Sequence, residues 1–189
     1  MTRQPIEGTR RREMLGATIA LLADHGYDKL TFDALARAAR TSKATIYRHW
    51  ASKLDLVVEA LRDQVARRGE VDTGSLRGDL LATVLDPDGL FQGSTFKAFN
   101  ATFTALLWDP DAAGGFVRTF LDDDPKISAI WDHAAERGEI PPHADRDLLS
   151  AALFYGLLHL VVLRGAPMDT TTVTRVLDTV VLPAAATQP

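Results

Sequence analysis

Residues 26–53 read GYDKLTFDALARAARTSKATIYRHWASK, and this stretch predicts two short helices joined by a tight turn. Apolar side chains of the first half recur at i, i+3, i+4 and i+7, the spacing of one buried helical face, at Phe32, Leu35, Ala36 and Ala39. Thr31 stands before them as a candidate N-cap. The second half opens at Ser42, another good N-cap, and brings Ile46 and Trp50 side by side as a buried stripe. The pattern is typical of a helix-turn-helix.

The second helix of this motif, called the reading helix below, is predicted to expose Ala44, Thr45 and Arg48. A DNA major groove about 12 Å wide admits one helix, so such a face can approach base edges. Arg48 can donate two hydrogen bonds to guanine, and Thr45 can bond a base or a phosphate or touch a thymine methyl. Tyr47 and His49 flank the face and suit phosphates. The motif therefore predicts binding to specific DNA sequences.

Two lysines are predicted to contact the DNA backbone. Lys43 lies in the first turn of the reading helix, where no earlier helical residue covers it. Ser52 and Asp55 match a capping box, which places Lys53 at a helix N-terminus whose amides already favour an anion. We expect Lys53 to clamp a phosphate.

The motif resembles that of the tetracycline-repressor-type (TetR) family of bacterial transcription regulators. The matching residues within 26–53 are Gly26, Tyr27, Leu30, Thr31, Leu35, Ala36, Ala39, Ser42, Lys43, Thr45, Ile46, Tyr47, His49 and Lys53, with Trp50 where an aromatic residue is usual. The resemblance implies an all-α protein: an N-terminal three-helix DNA-binding domain, followed by a C-terminal helical domain that binds a ligand and dimerises.

Three positions depart from the family pattern. Arg40 occupies the turn position that is usually glycine, where left-handed dihedrals cost a non-glycine residue about 1 kcal/mol. Either the turn is reshaped or Arg40 adds a DNA contact. Thr41 replaces a usual apolar residue, and Ala44 stands where glycine is frequent. The residues expected to bind DNA are Thr31, Arg40, Thr41, Ser42, Lys43, Ala44, Thr45, Tyr47, Arg48, His49 and Lys53.

Positive charge is concentrated around the motif. The chain has a net charge of -4, but residues 1–53 hold 10 Lys and Arg against 5 Asp and Glu, whereas the remainder holds 11 against 20. The N-terminal part should therefore attract phosphate and the remainder should repel it. The arginines at 10–12 would elsewhere suggest only a solvated helix start, but beside this motif they favour DNA.

Composition narrows the class of protein. With 46% hydrophobic and 24% charged residues, the 189-residue chain is typical of a folded globular protein. It has no cysteine, which excludes disulfides, thiolate metal sites and thiol redox sensing. No apolar h-region lies between the N-terminal arginines and a cleavage site, so no secretory signal is visible. We expect a cytoplasmic protein that associates with the bacterial nucleoid.

Helical periodicity runs through almost the whole chain, and no period-2 strand is credible, which predicts an all-α fold. Polar residues around Gly74 mark a domain boundary. The expected parts are a DNA-binding domain over 1–70, with its motif at about 32–50 and a connecting helix at 53–69, a helical ligand-binding and dimerisation domain over 75–183, and a tail over 184–189. Helices within the second domain are expected at 76–85, 94–108, 111–122, 125–137 and 148–163.

Two apolar helices near the C-terminus predict a dimer interface. Residues 148–163 carry no charge, so their helix must be buried on several sides. The run is shorter than the roughly 20 residues of a membrane span and contains Ser150 and His159, so we expect no membrane role. Two helices from each of two subunits can build a four-helix interface, although packing inside one monomer is the alternative. The expected interface residues are Leu153, Leu157, Leu160, Val161, Val173, Val176, Leu177, Val180 and Val181.

Aromatic residues in the middle of the chain predict a ligand pocket. Ligand sites are mostly apolar with a few polar anchors, and the resemblance implies a small-molecule site, although each aromatic alone is more simply core. The candidates are Phe96, Phe99, Asn100, Phe103, Leu107, Trp108, Phe116, Phe120, Trp131, Phe154, Tyr155 and His159. A ligand that fits only the dimer conformation in which the two DNA-binding domains are separated would shift the population away from the DNA-bound form. The expected partners are a palindromic operator, a second copy of the chain and a small effector.

The competing classes of protein are an enzyme and a non-regulatory or architectural DNA-binding protein without an effector. The five histidines show no metal-ligand spacing, and no P-loop, dinucleotide fingerprint or nucleophile elbow is present, so we expect no enzyme, metal or cofactor. The acidic run 122–124 precedes Pro125 and should cap the next helix. An architectural protein would bind DNA with little sequence preference, whereas a regulator should prefer its operator by at least ~10³. We therefore predict a repressor that a ligand releases, with repression inferred from the resemblance.

Overall fold

The computed structural model describes residues 8–66, 69–122 and 124–186, and within these residues all regular structure is helical. The predicted all-α fold is confirmed. The α-helices are α1 (Gly8–His25), α2 (Phe32–Ala38), α3 (Lys43–Tyr47), α4 (Lys53–Val65), α5 (Leu76–Leu85), α6 (Gly93–Leu106), α7 (Pro110–Val117), α8 (Pro125–Glu136), α9 (Arg146–Leu157), α10 (Thr170–Val176) and α11 (Leu182–Ala186). Three π-helical segments extend α7, α9 and α10, at Arg118–Asp122, Leu158–Leu163 and Leu177–Val181.

Packing divides the chain into two compact units. The first unit contains the described residues up to Ala66 together with Gly93–Phe116, and the second contains Gly69–Gln92 and the described residues from Val117 onward. The sequence predicts a domain boundary between residues 70 and 75, and so assigns residues 93–116 to the second domain. By packing, these residues join the first unit because the apolar face of α6 covers α1 and α4.

Helix α1 is the scaffold of the first unit. Its apolar residues at i, i+4 and i+7, Leu15, Ile19 and Leu22, are buried where α1 packs against α4 and α6. The connecting helix ends at Val65, earlier than the predicted residue 69. Gly26 ends α1 with a φ of 83°, a left-handed value that glycine adopts without strain.

The second unit is a bundle in which α9 packs against α10 and its π-helical extension, and α5 packs against α8 and α10. A Cβ atom at Gly156 would lie 2.7 Å from Cγ1 of Val176, so these two helices approach closely only because residue 156 is glycine. The buried indole of Trp131 donates a hydrogen bond of 3.0 Å to Ser150.

This packing corrects the predicted dimer interface. Six of the nine expected interface residues are buried inside their own chain: Leu153, Leu157, Val173, Val176, Leu177 and Val181. They form core because α9 packs against α10 and the segment Leu177–Val181, which is the monomer alternative stated above. Leu160 and Val161 are half-buried, and Val180 is exposed. The other large apolar side chains exposed in this region are Leu148, Tyr155, Val162 and Leu163.

The helical run Arg146–Leu163 is long and apolar enough to cross a membrane by length and composition. Its mean hydropathy is 1.5, and 28% of it is buried inside the chain. Core helices of folded proteins pass the same test, so this run is weak evidence for a membrane span.

A buried carboxylate connects the beginning of the second unit to the end of α8. The Asp79 side chain is fully buried, and its Oδ2 accepts a hydrogen bond of 2.9 Å from Arg137 Nη2. Its Oδ1 accepts bonds from the Thr73 amide at 2.6 Å and the Thr73 hydroxyl at 2.7 Å. Burial alone would raise the pKa of Asp79, but the hydrogen bonds from Thr73 and Arg137 hold this pKa below its ordinary value.

Candidate nucleic-acid interface

The two helices of the motif begin where side chains satisfy their first amides. Thr31 accepts a hydrogen bond of 3.1 Å from the Ala34 amide at the start of α2. Ser42 accepts one of the same length from the Thr45 amide at the start of α3, which is the reading helix. Both predicted caps are confirmed. They fix where each short helix begins, because unsatisfied amides at a helix start disfavour it.

The buried side of the reading helix is also confirmed. Ile46 is fully buried, and Trp50 is 2% exposed three residues after α3 ends. Burial of these two side chains leaves the opposite side of α3 toward solvent, where Ala44 and Arg48 are exposed and Thr45 is half-buried.

Three polar side chains of the exposed side form one hydrogen-bonded group. The Arg48 guanidinium donates from Nη2 to the Thr45 hydroxyl at 3.2 Å. That hydroxyl also lies 2.9 Å from the hydroxyl of Ser42. A guanidinium has five N–H donors, so the Thr45 contact orients Arg48 while leaving donors available for a guanine edge.

The aromatic residues that flank this face are held by neighbours. The Tyr47 side chain is exposed, and its ring meets that of Phe32 edge-to-face, with centroids 4.7 Å apart. His49 is exposed beside Trp50, with ring centroids 5.5 Å apart. Both residues lie at the solvent surface, where a phosphate can reach them.

The two lysines predicted to bind phosphate have partners inside the chain. Lys43 forms an ion pair of 2.6 Å with Asp33, and both side chains are about half exposed. Such a surface pair contributes roughly 0 to 1 kcal/mol, so a DNA phosphate can compete for Lys43. Lys53 donates a hydrogen bond of 3.1 Å to the Tyr27 carbonyl, and its Nζ lies 3.9 Å from the centroid of the Tyr27 ring. The phosphate clamp at Lys53 stays a prediction.

The predicted capping box at the start of α4 is confirmed. The Ser52 hydroxyl accepts a hydrogen bond from the Asp55 amide at 3.0 Å, and the Asp55 carboxylate accepts one from the Ser52 amide at the same distance. This places Lys53 at the first position of a thirteen-residue helix.

The turn between α2 and α3 keeps its left-handed geometry despite the missing glycine. Arg40 has a φ of 49°, the sole positive φ among non-glycine residues that the structure describes. The Thr41 amide donates to the Ala36 carbonyl at 2.9 Å, and the Arg40 amide donates to the Arg37 carbonyl at 3.3 Å, as in a Schellman motif. The alternative of a reshaped turn is therefore wrong. Thr41 is half-buried and the Arg40 side chain is exposed, so a DNA contact from Arg40 stays a prediction.

The sequence did not indicate that two of the N-terminal arginines brace the motif. Arg10 donates from Nη2 to the Arg40 carbonyl at 2.7 Å, at the strained turn. Arg11 makes a two-pronged ion pair with Glu59, at 2.6 and 2.7 Å. These contacts join residues 30 and 48 positions apart, so no local pattern could reveal them.

The predicted pocket residues divide between the two units. Seven aromatic side chains are buried: Phe96, Phe99, Phe103, Phe116, Phe120, Trp131 and Phe154. Four candidates have exposed side chains: Leu107, Trp108, Tyr155 and His159. Trp108 is 93% exposed because it lies beyond the end of α6, where no helix of the described residues covers it.

Within the first unit, the predicted pocket residues border two open depressions. One, of about 620 Å³, is lined in part by Asn100 and Trp108, and another, of about 520 Å³, by Phe116. Asn100 donates from Nδ2 to the Phe96 carbonyl at 2.8 Å, while its buried Oδ1 accepts no hydrogen bond from the residues that the structure describes. Neither depression joins the buried aromatics into one cavity, so the ligand pocket stays a prediction.

The described part of the chain contains no cluster of three or more His, Asp or Glu side chains that could hold a metal ion. Asp124, the described end of the acidic run, accepts from the Lys126 amide at 2.9 Å and caps α8 as predicted. Asp123 lies outside the described residues.

Two family models match this chain. A model described as "Bacterial regulatory proteins, tetR family" covers residues 14–60, and one described as "Tetracyclin repressor-like, C-terminal domain" covers residues 70–180. The first contains the motif, and the second covers more than half of the chain.

Relatives of similar length carry related names. The chain is 34% identical to the "Uncharacterized HTH-type transcriptional regulator Rv1556" of Mycobacterium tuberculosis, over 93% of this chain and 87% of the relative. It is 31% identical to the "DNA-binding transcriptional repressor TetR" of Mycobacteroides abscessus, over 92% of this chain and 93% of the relative. The crystal structure of TetR family transcription regulator SCO0332 superposes with a TM-score of 0.62 at 28% identity, covering 93% of this chain and 97% of that one.

Proposed function

This chain belongs to the TetR family of bacterial transcriptional regulators, and on that premise we propose that it binds a palindromic operator as a homodimer and represses transcription until a small ligand releases it. Members of the family and the relatives named above are transcriptional regulators rather than enzymes. Because the target is DNA, the proposed location is the cytoplasm, on the nucleoid. No metal or cofactor is required for this role.

The observation that carries the proposal is the exposed group on the reading helix. Arg48 is held by Thr45, and Thr45 by the cap residue Ser42, on the side of α3 opposite the buried Ile46. Arginine reads guanine through two N–H donors, and a side chain that is already oriented loses less freedom on binding. We assign base reading to Arg48 and Thr45, and phosphate contacts to Lys43, Tyr47, His49 and Lys53.

The dimer is supported by apolar surface at the C-terminal end of the chain. Tyr155, Val162 and Leu163 are between 47% and 71% exposed on the run Arg146–Leu163, and Val180 is 46% exposed. A two-fold interface uses the same patch of both subunits, so one apolar patch is sufficient to pair two copies. We propose that a second copy, rather than a membrane, covers this patch. Two reading heads related by that axis would require an approximately palindromic operator.

Leu163→Glu is expected to weaken the dimer by on the order of tenfold, because each subunit would bury an unpaired carboxylate at the edge of the apolar patch. Sedimentation velocity over a concentration series measures the dissociation constant of the dimer. Leu107→Glu is the matched control, since Leu107 is also exposed but lies just after the end of α6. Equal dissociation constants for both variants would contradict the proposed interface.

Lys53→Ala is expected to weaken binding to every DNA sequence by a similar factor and to lower the salt slope by about one, because one phosphate contact is lost. The slope is measured by titrating operator and scrambled duplexes at several salt concentrations. Lys97→Ala removes an exposed lysine from α6 and should leave the slope unchanged. A loss confined to the operator would instead assign Lys53 to base reading.

The proposed function as a whole is tested by selecting bound duplexes from a random pool with the purified protein. An enriched palindrome, bound at least ~10³-fold more tightly than scrambled DNA at fixed salt, is the expected result. Binding without enrichment that fades as salt rises would favour an architectural protein. The enriched duplex then serves as the probe in a screen for the small molecule that releases it.

A further inference from the structure

One carboxylate joins three helices around the end of the reading helix. Glu59 of α4 accepts a hydrogen bond of 2.9 Å from the indole nitrogen of Trp50, which follows α3. The same carboxylate binds the guanidinium of Arg11 on α1 through both of its oxygens. The Arg11 Cζ lies 6.0 Å from the centroid of the Trp50 ring. Arg11, Glu59 and Trp50 form a closed group, called the indole clamp below.

The indole clamp has the properties of a fixed contact. Trp50 is 2% exposed, so its N–H has lost water and needs an acceptor within the chain. Burial raises the pKa of Glu59, but the hydrogen bonds from Arg11 and Trp50 lower it by more than burial raises it. The pKa of Glu59 therefore lies below its ordinary value. The carboxylate is therefore ionised at neutral pH, and its bonds to Arg11 and Trp50 are charge-assisted.

The position of the indole determines the position of the reading helix. The amide of Trp50 donates to the Ile46 carbonyl at 3.1 Å, so backbone bonds connect Trp50 to the last turn of α3. Helix α3 is five residues long and too short to hold its own orientation. The cap at Ser42 satisfies an amide of the same helix, so the orientation of α3 depends on the buried side chains of Ile46 and Trp50.

We propose that Glu59 is a positioning residue for operator binding, which holds the Trp50 indole and thereby sets the angle at which Arg48 and Thr45 meet the bases. This inference rests on the proposed function, because it concerns how well the operator is distinguished from other DNA. Arg11 acts through Glu59, so its positive charge is neutralised inside the clamp rather than presented to phosphate.

Electrostatics and positioning predict opposite effects when Glu59 is replaced. Removing a negative charge from a DNA-binding head should tighten its binding to any duplex, because repulsion of phosphate is lost. Disturbing the reading helix should weaken binding to the operator alone, because base contacts need an accurate geometry. A weaker operator complex beside an unchanged or tighter scrambled complex is therefore a readout that a purely structural role does not produce.

The experiment compares Glu59→Ala, Glu59→Gln and Trp50→Phe with the unchanged full-length chain. Dissociation constants are measured for the selected operator and for scrambled DNA at one salt concentration, well below the melting temperature of every variant. We expect Glu59→Ala to bind the operator about tenfold more weakly, the size of effect that follows from losing one charge-assisted hydrogen bond. Glu59→Gln should recover part of this loss, since its amide oxygen still accepts from the indole. Trp50→Phe, which loses only the donor and some ring area, should resemble Glu59→Ala.

A pair of neighbouring arginines supplies the matched control. Arg11→Gln and Arg12→Gln remove the same charge from adjacent positions of α1, and Arg12 is exposed. Only Arg11→Gln should lower the ratio of operator to scrambled affinity. Arg12→Gln should weaken both complexes by similar factors, because it changes electrostatic attraction alone.

Three outcomes are decisive. A Glu59→Ala protein that retains its helical circular dichroism and its operator preference overturns the inference, even if its melting temperature falls. If Glu59→Ala does not fold, an unchanged affinity ratio in both Glu59→Gln and Trp50→Phe overturns it equally. If the unchanged chain itself shows no operator preference, the proposed function fails first and the inference fails with it, a result that is visible before any variant is made.

Discussion

Arg48→Ala is expected to reduce operator affinity by about 1 to 3 kcal/mol, or roughly 5- to 150-fold, with the loss confined to particular base pairs. The guanidinium is exposed and oriented by Thr45, so its removal deletes base contacts without opening the core. Operator duplexes with single substitutions, titrated against both proteins, should show one base pair per half-site that the wild type distinguishes and the variant does not.

Arg37→Ala is the matched control for Arg48→Ala. Arg37 is an exposed arginine in the last turn of α2, so its removal changes the charge of the head equally but removes no side chain from the reading helix. Arg37→Ala should weaken binding to all DNA sequences alike and preserve the discrimination between base pairs. An Arg48→Ala protein with the wild-type pattern would show that another residue reads the bases.

Asp79→Ala is expected to lower the free energy of unfolding by about 3 to 5 kcal/mol, because breaking a buried pair strands its remaining partners. The fully buried carboxylate receives bonds from Arg137 and from both donors of Thr73. Its loss leaves the Thr73 amide without its acceptor and detaches the segment before α5 from the end of α8. Urea denaturation followed by circular dichroism measures the change, provided that the slope with denaturant stays constant.

Asp178→Ala is the control for Asp79→Ala because it also removes an aspartate from a pair with arginine. Its partner Arg77 lies 2.8 Å away, but both side chains are 45% exposed. Water replaces such a partner, so the unfolding midpoint should change little. Similar unfolding midpoints for the two variants would mean that the buried pair of Asp79 and Arg137 contributes no more to stability than the exposed pair of Asp178 and Arg77.

The same buried carboxylate, that of Asp79, predicts a dependence of stability on pH. The pKa of Asp79 is lower in the folded chain than its ordinary value, so the folded state stabilises the charged form. This stability is fully present above the pKa of the unfolded chain and is lost as pH falls through the lower, folded pKa. Wild-type stability should therefore fall in acid, below about pH 5, and Asp79→Ala should show a smaller acid-induced loss.

The helix-turn-helix was predictable because its signals are local. Thr31, Ser42 and Ser52 each cap the amide three residues later, and each cap is visible as a hydroxyl before an apolar periodic run. The Arg11 and Glu59 contact was not predictable, because its members stand 48 residues apart. A run of arginines in the sequence indicates attraction to phosphate. The carboxylate or carbonyl that each arginine binds is visible only in the folded structure.

The two apolar helices near the C-terminus show a second limit of what helical periodicity in the sequence can predict. A period of 3.6 residues identifies an apolar face but does not identify the helix that covers it. Leu157 and Leu177 could therefore not be assigned to core or to interface from the sequence. Both are buried because α9 packs against α10 and its extension.

The π-helical segment Leu158–Leu163 explains a further difference. It takes more residues per turn than an α-helix, so side chains rotate away from the face that a period of 3.6 assigns to them. Leu153 and Leu157, before the segment, are buried, whereas Leu160 and Val161, inside it, are half-buried. The sequence contains no signal for this change of period.

The three tryptophans occupy environments of two kinds that a soluble quencher can distinguish. Trp50 and Trp131 are each 2% exposed, one in each compact unit, while Trp108 is 93% exposed. A soluble quencher such as acrylamide should therefore reach Trp108 and spare the other two. In a Trp108→Phe background, the remaining fluorescence comes from two buried indoles, one beside the reading helix and one in the second unit, so a rise in quenching reports the opening of the packed interior without an attached dye.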